Sequence, residues 1–261
     1  MDQSGPDFLV DGAGFSAGGR PIVARLSLRL AAGRFHALVG ANGSGKSTFL
    51  KLLARQLVPD AGSIRLGDRA LSAFGARAFA REVAFMPQFT PATDGMTVGE
   101  LVALGRFAWH GALGRATPED RKAVAEAIER CDLATLAGRP VDELSGGERQ
   151  RAWIAMMLAQ ESRWLLLDEP TSALDAGHQA DILDLIAVLS RERGIGVVAV
   201  LHDINMAVRV ADEILALDGG RLVFRGPPAE AMRPDVLRPL FGPRLDVLPA
   251  EGSRPALAFL R

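Results

Sequence analysis

The sequence predicts an α/β protein interrupted by an all-helical insertion. Three observations carry that prediction. A short apolar run, Phe35 to Val39, enters a glycine-rich turn and leaves it as a helical pattern of Phe49, Leu50, Leu52 and Leu53. Two more apolar runs, Leu165-Leu166-Leu167 and Ile195 to Leu201, lack polar alternation, as do strands covered on both faces of a parallel sheet. From about residue 89 to residue 161 the pattern is helical, with no clear strand.

Taken in order, residues 1–7 are polar and read as disordered, and Phe8-Leu9-Val10 starts a strand. Leu26, Leu28 and Leu30 alternate with Arg25, Ser27 and Arg29, which is the period of a half-buried antiparallel strand. Ala31-Ala32-Gly33-Arg34 then turns the chain into the Phe35 strand. The helix after the turn is expected to reach about Leu57 and stop at Val58-Pro59-Asp60-Ala61-Gly62, where proline and glycine end it. Ile64-Arg65-Leu66 reads as a short strand, Ala76 to Glu82 as a turn or two of helix, and Val83 to Met86 as a buried strand ending at Pro87-Gln88.

Within the insertion, Val98, Leu101, Val102 and Leu104 recur at helical spacing. Thr117-Pro118-Glu119-Asp120 is a helix start, with an N-cap, proline at the first position and acids in the first turn. That helix is expected to reach about Asp132. A helix from about Gly177 to Arg193 joins the two apolar runs, and Ile214 to Leu217 with Leu222 to Phe224 form a hairpin around Asp218-Gly219-Gly220. From Pro227 a short helical region and two weak strands make a tail. The organisation read from this is a core of residues 1–88 and 162–226, a helical insertion of 89–161 and a tail of 227–261.

The 261 residues, 48% of them hydrophobic, can bury a sizeable core. A net charge of −1 leaves no basic footprint for nucleic acid. The single Cys131 excludes an internal disulfide and fits a reducing compartment. No apolar run approaches the ~18 residues that span a bilayer, and the acidic start does not resemble a signal peptide. The chain is therefore expected in the cytosol, reaching a membrane only through a partner.

Gly40 to Ser47 fits G-x-x-x-x-G-K-[ST] in its strand–loop–helix setting. Its three glycines let the backbone of Gly40, Ala41, Asn42, Gly43, Ser44, Gly45, Lys46, Ser47 and Thr48 turn N–H groups towards a phosphate chain. Lys46 would reach the β- and γ-phosphates, and Ser47 would hold Mg²⁺ by its hydroxyl. In Trp164 to Glu169, an apolar strand ends in two carboxylates. Asp168 is placed to bind Mg²⁺ and Glu169 to polarise the attacking water as general base. A solvated acidic pair is the simpler reading of such a strand end, but beside a phosphate loop two independent motifs would have to coincide.

Leu144-Ser145-Gly146-Gly147-Glu148 precedes a further helix. Ser145 and Glu148 form a capping box, which leaves Gly146-Gly147 unexplained. Two bare N–H groups at the positive end of a helix dipole make a second anion site. The natural occupant is the γ-phosphate of an ATP bound to another copy, which predicts a head-to-tail homodimer with two ATP molecules at its interface.

The order Gly40–Ser47, Gln88, Leu144–Glu148, Trp164–Glu169, Ser172-Ala173-Leu174-Asp175 and His202 resembles the ATPase subunits of ATP-binding-cassette transporters, over essentially the whole chain. The resemblance implies a P-loop NTPase fold, with a RecA-like core, an N-terminal antiparallel β-subdomain and an inserted helical subdomain. It implies that Gln88 senses the γ-phosphate and metal, that Asp175 lies in a loop lining the dimer interface, and that His202 contacts the γ-phosphate and helps orient the water. It also implies a polytopic membrane permease docking on 89–161, where aromatic residues of Gly105 to Arg115 are either insertion core or part of a groove for a helix. Gly105–Arg115, Leu144–Met156 and Leu201–Ala207 look like the ATPases of iron–siderophore importers, closest to ferric hydroxamate uptake, with haem and vitamin B12 importers near. For such a subunit the resemblance implies the cytoplasmic face of the inner membrane, and a periplasmic substrate-binding protein as indirect partner.

One departure stands out. Most of this family stacks adenine on a tyrosine near the N-terminus, and this chain has no tyrosine; the matching place in Phe15 to Arg20 is Ala17. Phe15, on strand alternation, points the other way. Most affinity is then expected from the phosphates. Binding titrations with ATP and GTP should accordingly give dissociation constants within a few-fold of each other, and a much larger difference would show that another group reads the base.

Overall fold

In the computed structural model, residues 5–111, 114–172, 174–242, 244–249 and 256–260 are described. The sequence readings at Ala112, Leu113, Ala173 and residues 1–4 lie outside these. The chain runs β1 (Phe8–Ala17), β2 (Arg20–Leu30), β3 (Phe35–Val39), α1 (Lys46–Leu53), β4 (Ala61–Leu66), β5 (Arg69–Ala70), α2 (Ala76–Glu82) and β6 (Val83–Met86). Then follow α3 (Val98–Leu104), α4 (Phe107–His110), α5 (Pro118–Arg130) and α6 (Gly146–Ala159). The remainder is β7 (Trp164–Asp168), α7 (Ala176–Arg193), β8 (Gly196–Val200), α8 (Ile204–Val210), β9 (Glu213–Asp218), β10 (Arg221–Gly226), α9 (Pro228–Ala231), α10 (Pro234–Phe241), β11 (Leu245–Leu248) and β12 (Leu257–Leu260).

Two sheets enclose α1. One is antiparallel, in the order β2-β1-β4-β5; the other has the order β10-β9-β3-β8-β7-β6. In the second, β9, β3, β8, β7 and β6 run parallel and only β10 is antiparallel. Both faces of the central strands are covered. Leu38, Leu166, Val198 and Val200 pack with Phe49, Leu50, Leu52 and Leu53 of α1, while Ala37, Val39, Leu165, Leu167 and Val197 face the layer of α6 and α7. This double burial is why these strands carry continuous apolar runs.

The helices α3 to α6 leave the sheet after β6 and return to it at β7, and these two strands are hydrogen-bonded neighbours, Val83 opposite Trp164 and Met86 opposite Leu167. The helical excursion thus adds no strand and stands at the edge of the sheet. Thr97 and Thr117 each close a capping box, with Glu100 and Asp120. α5 ends at Arg130, and α1 ends at Leu53, one turn short of the expected Leu57. Arg55 takes a left-handed φ of 58° and its guanidinium donates to the Phe74 carbonyl, so the last turn gives way to a tertiary contact. The tail holds two short helices and two antiparallel strands, β11 and β12, where the sequence is read as a short helical region and two weak strands.

The N-terminal reading of disorder through residue 7 does not hold at its end. Asp7 accepts from the Ala32 amide and from Arg29, and the Pro6 carbonyl accepts from Trp164 Nε1 at 2.8 Å. Polar residues here serve as partners for the antiparallel sheet and β7, which composition alone does not reveal.

The helical excursion is fastened by a buried arginine. Arg106 donates from Nε to Asp120 Oδ1 at 2.8 Å, and from Nη1 to the Ala159 carbonyl at 2.8 Å and Glu161 Oε2 at 2.6 Å. Trp109 lies between the guanidinium groups of Arg81 and Arg106, 4.7 and 4.8 Å from its ring centre, and donates to the Gln160 carbonyl. Removing one partner of a buried ion pair strands the other. Arg106→Leu is therefore expected to cost on the order of 3 kcal/mol, read as a drop in the denaturant midpoint, with Glu161→Gln, at the half-exposed end of the network, costing far less.

Candidate nucleotide-binding site

Parallel pairing places four strand ends along one edge. β3 runs into Gly40, β6 is followed by Gln88, β7 ends in Asp168 before Glu169, and β8 is followed by Leu201 and His202. In an open parallel sheet the crevice beyond the carboxyl ends is where ligands bind.

The loop after β3 is built on backbone that side chains would break. Gly40, Gly43 and Gly45 have φ of 140°, 78° and 96°. A Cβ at Gly40 would stand 2.1 Å from the Leu217 carbonyl oxygen, and one at Gly45 2.5 Å from that of Ile22. Within this cradle Ser44 Oγ is buried without a hydrogen-bond partner among the described residues. The Lys46 ammonium, also buried, donates to the Gly40 and Ala41 carbonyls at 2.9 Å each. Burial pushes its pKa down, against the pull of Glu169 and Asp168. An orphaned hydroxyl, a buried cation and a glycine cradle together fit an anion.

Ser47 Oγ donates to Asp168 Oδ1 at 2.7 Å. A hydroxyl and a carboxylate are hard oxygen donors, the set that holds Mg²⁺ when substrate phosphates complete its shell. Burial raises the Asp168 pKa, while Ser47, Lys51 and Lys46 oppose the rise.

Glu169 has a left-handed φ of 52°, a conformation an L-residue keeps only where its surroundings impose it. Its two carboxylate oxygens have different partners: Gln88 Nε2 donates to Oε2 at 2.6 Å, and His202 Nε2 stands 2.6 Å from Oε1. The three residues named separately in the sequence thus form one linked group. Glu169 and His202 line, with Ile22 and residues 42–48, a cleft of about 220 Å³. That is less than the 300–1,000 Å³ typical of a complete small-molecule pocket.

Ser145 caps α6 as expected, accepting from the Glu148 amide at 3.3 Å while Glu148 accepts from the Ser145 amide at 2.9 Å. Ser145 and Gly146 are exposed, and Gly147 is buried. Among the described hydrogen bonds none links this turn to residues 40–48 of the same copy. Asp175 caps α7, accepting from the His178 amide at 3.0 Å, and that bond holds its carboxyl below the usual range.

A family model described as ABC transporter matches residues 23–172, more than half of the chain. The chain belongs to the ABC transporter family. As a member it is an ATP-binding subunit that hydrolyses ATP to power transport. It is 41% identical to the iron(3+)-hydroxamate import ATP-binding protein FhuC of Bacillus subtilis, covering 87% of this chain and 85% of that one. It is 39% identical to the ferric enterobactin transport ATP-binding protein FepC of Escherichia coli, covering 87% and 84%. It is 40% identical to the hemin import ATP-binding protein HmuV of Bordetella pertussis, covering 88% and 90%. Among solved structures, a transporter assigned to the metal-chelate type of ABC transporter, in an inward-facing conformation, matches with a TM-score of 0.84 at 28% identity over 98% of this chain and 97% of that one. The dimeric ABC cassette MJ0796 matches with a TM-score of 0.73 at 27% identity over 85% and 98%.

In this ABC cassette Ala17 is exposed, and Phe15 packs against the core beneath the antiparallel sheet. Ile22, in β2 and not singled out from the sequence, lines the cleft. Gln150, also passed over, donates from Nε2 to the Pro170 carbonyl at 2.5 Å and so ties α6 to the segment after Glu169. Ile22 lies in no motif, and Gln150 lies in the Leu144–Met156 segment with no role of its own read there; only the three-dimensional meeting of β2 with the loop, and of α6 with the segment after β7, reveals what they touch.

The raised Asp168 pKa fixes the sign of a stability effect. An acid whose folded pKa lies above its unfolded value favours folding only when protonated, and that advantage goes as pH rises through the folded pKa. At neutral pH the buried charge is a cost. Asp168→Asn should therefore stabilise the chain without nucleotide at pH 7, read as a higher melting temperature. The gain should shrink in melting experiments as pH falls through the folded pKa, and vanish well below about pH 4, where an aspartate is protonated in both states.

Proposed function

We propose that this subunit powers import of an iron(III)–siderophore chelate, of hydroxamate type, across the inner membrane, as a peripheral homodimer on its cytoplasmic face. The observation that carries the motor reading is the Glu169 carboxylate held between Gln88 and His202 at the mouth of the glycine cradle. The similarity to FhuC and FepC supports the cargo.

The phosphates lie along residues 40–48, and Lys46 turns its ammonium from the loop carbonyls to their β and γ oxygens. Ser47, Asp168 and Gln88 would hold Mg²⁺, which when bound would offset charge on those oxygens. Glu169 accepts a proton from the attacking water, the general-base role open to a carboxylate within hydrogen-bond reach. His202 and Gln88 orient that carboxylate, and His202 contacts the γ-phosphate. The cleft of one copy is small and open, which supports closure by a second copy contributing Ser145, Gly146, Gly147 and Glu148, with Asp175 at the interface.

The membrane permease docks on 89–161. Phe89, Leu104, Phe107 and Trp109 are 83%, 48%, 51% and 38% exposed there, so these side chains are not insertion core. No described helix is long and apolar enough to cross a membrane, so force reaches the bilayer through that partner. A periplasmic substrate-binding protein delivers the chelate to it.

Glu169→Gln tests the proposal. The purified variant should bind ATP, lose turnover by a factor of 100 or more, the scale of general-base removal, and accumulate as an ATP-dependent dimer in light scattering. Lys46→Ala should lose nucleotide binding itself. In the native cell, the Glu169→Gln substitution should abolish uptake of labelled ferric hydroxamate and leave haemin and vitamin B12 uptake intact. Loss of haemin uptake instead would assign the subunit to a haem importer.

A further inference from the structure

α7 begins beside α6. A Cβ added at Gly147 would stand 2.9 Å from His178 Cδ2 and 3.5 Å from its Nε2, so the imidazole lies directly against the bare Cα of Gly147. The ring is fixed in that place from its other side, where Nδ1 lies 2.9 Å from both oxygens of Asp175. An ionised carboxylate only accepts, so Nδ1 carries the proton and donates. Asp175 in turn caps α7 through the His178 amide. One carboxylate therefore orders the helix start and aims the ring, and the ring fills the space that glycine leaves.

The contact joins two segments with different tasks. Residues 170–178 follow directly from Glu169, while Gly147, itself buried, belongs to the helix start whose Ser145 and Gly146 are exposed. Gln150 makes a second link, from the next turn of α6 to the Pro170 carbonyl. The helix itself needs neither contact, since Ser145 and Glu148 cap it.

We propose that His178 is a positioning residue: its ring, wedged between Asp175 and Gly147, sets where the Ser145–Glu148 turn stands relative to Glu169, and so couples the ATP site of one copy to the one it completes in its partner. This rests on the shared-site reading given above. The wedge acts on closure of the dimer and not on capture of ATP by the cradle of a single copy, which it does not touch. Alanine at 178 keeps the backbone donor of the α7 cap, and the side chain is half exposed, so the fold does not depend on it.

The test uses the full chain carrying Glu169→Gln, titrated with MgATP and followed by light scattering for dimer and by a fluorescent ATP analogue for single-copy binding. Adding His178→Ala should raise the ATP concentration for half-dimerisation about fivefold, the effect of one lost contact of ordinary strength, with single-copy binding and melting temperature unchanged. His178→Asn, whose amide can still donate to Asp175 but is shorter, should recover part of the loss. Gly147→Ala, which drives a methyl into the ring, should impair dimerisation more than His178→Ala, and combining the two should recover dimerisation to the level of His178→Ala alone. Unchanged half-dimerisation in His178→Ala, or effects of the two substitutions that simply multiply, would overturn the wedge while leaving the shared site standing. Failure of the Glu169→Gln chain itself to dimerise with ATP would overturn both.

Discussion

The parallel register of β3, β8, β7 and β6 is the constraint on which the site depends. Phe35 pairs with Val197, Leu165 with Val197, and Ala84 with Leu165, so the strands end nearly level. Level ends are what bring a glycine loop, two carboxylates, a histidine and a glutamine to one edge, though they are spread from residue 40 to residue 202. A slip of one residue in β7 would turn Asp168 and Glu169 to opposite faces. The continuous apolar runs guard against this slip only weakly, since both faces are buried. Register is held instead by the ends: Trp164 is tied by Nε1 to Pro6, and the Gly196 amide to the Arg163 carbonyl.

Much of this was legible in the sequence, for identifiable reasons. The phosphate loop is legible because its glycines answer to a backbone requirement that no other residue meets, as the close approaches at Gly40 and Gly45 make plain. The helix starts at Thr117 and Ser145 are legible because capping is local chemistry. Gln88, Glu169 and His202 are each nameable from position along the chain and from family resemblance, but their union through one carboxylate is a fact of three strands meeting. Ile22, Gln150 and His178 were not legible, since each matters through a neighbour about 20 residues or more away. The same holds for the last turn of α1, where Arg55 leaves the helix for the Phe74 carbonyl.

The site is also a place where the nucleotide-free fold carries uncompensated cost. Lys46 and Asp168 are both buried, and burial moves each pKa against its charged form. Ser44 Oγ lacks a partner, and Glu169 sits in left-handed backbone. Each of these runs counter to stability. Under the proposed function the first three would be relieved by the same event, arrival of a polyanion with its metal: the lysine would gain phosphate oxygens, the carboxylate a cation, the hydroxyl an acceptor. Binding energy is thus concentrated where the fold is least satisfied, and the apolar layers on both faces of the sheet supply the stability that tolerates it.

The same reasoning extends to the turn before α6. Its capping box of Ser145 and Glu148 satisfies the helix, so the exposed Gly146 adds nothing that α6 requires. Under the proposed function a helix start left free in this way loses no stability in one copy and would gain an anion only in an assembly, as a reaction centre divided between copies requires. A divided centre makes occupancy at one half felt at the other only if the two halves of a copy move together. The two ties from α6 to the segment after Glu169, through Gln150 and through the Gly147–His178 contact, lie where such motion would have to be transmitted. Arg106 and Trp109 do the corresponding work at the far end of α6, holding Ala159 and Gln160 to α4. The helix is thereby gripped at both ends, a rigid rod between the nucleotide edge and the exposed aromatic surface of the insertion.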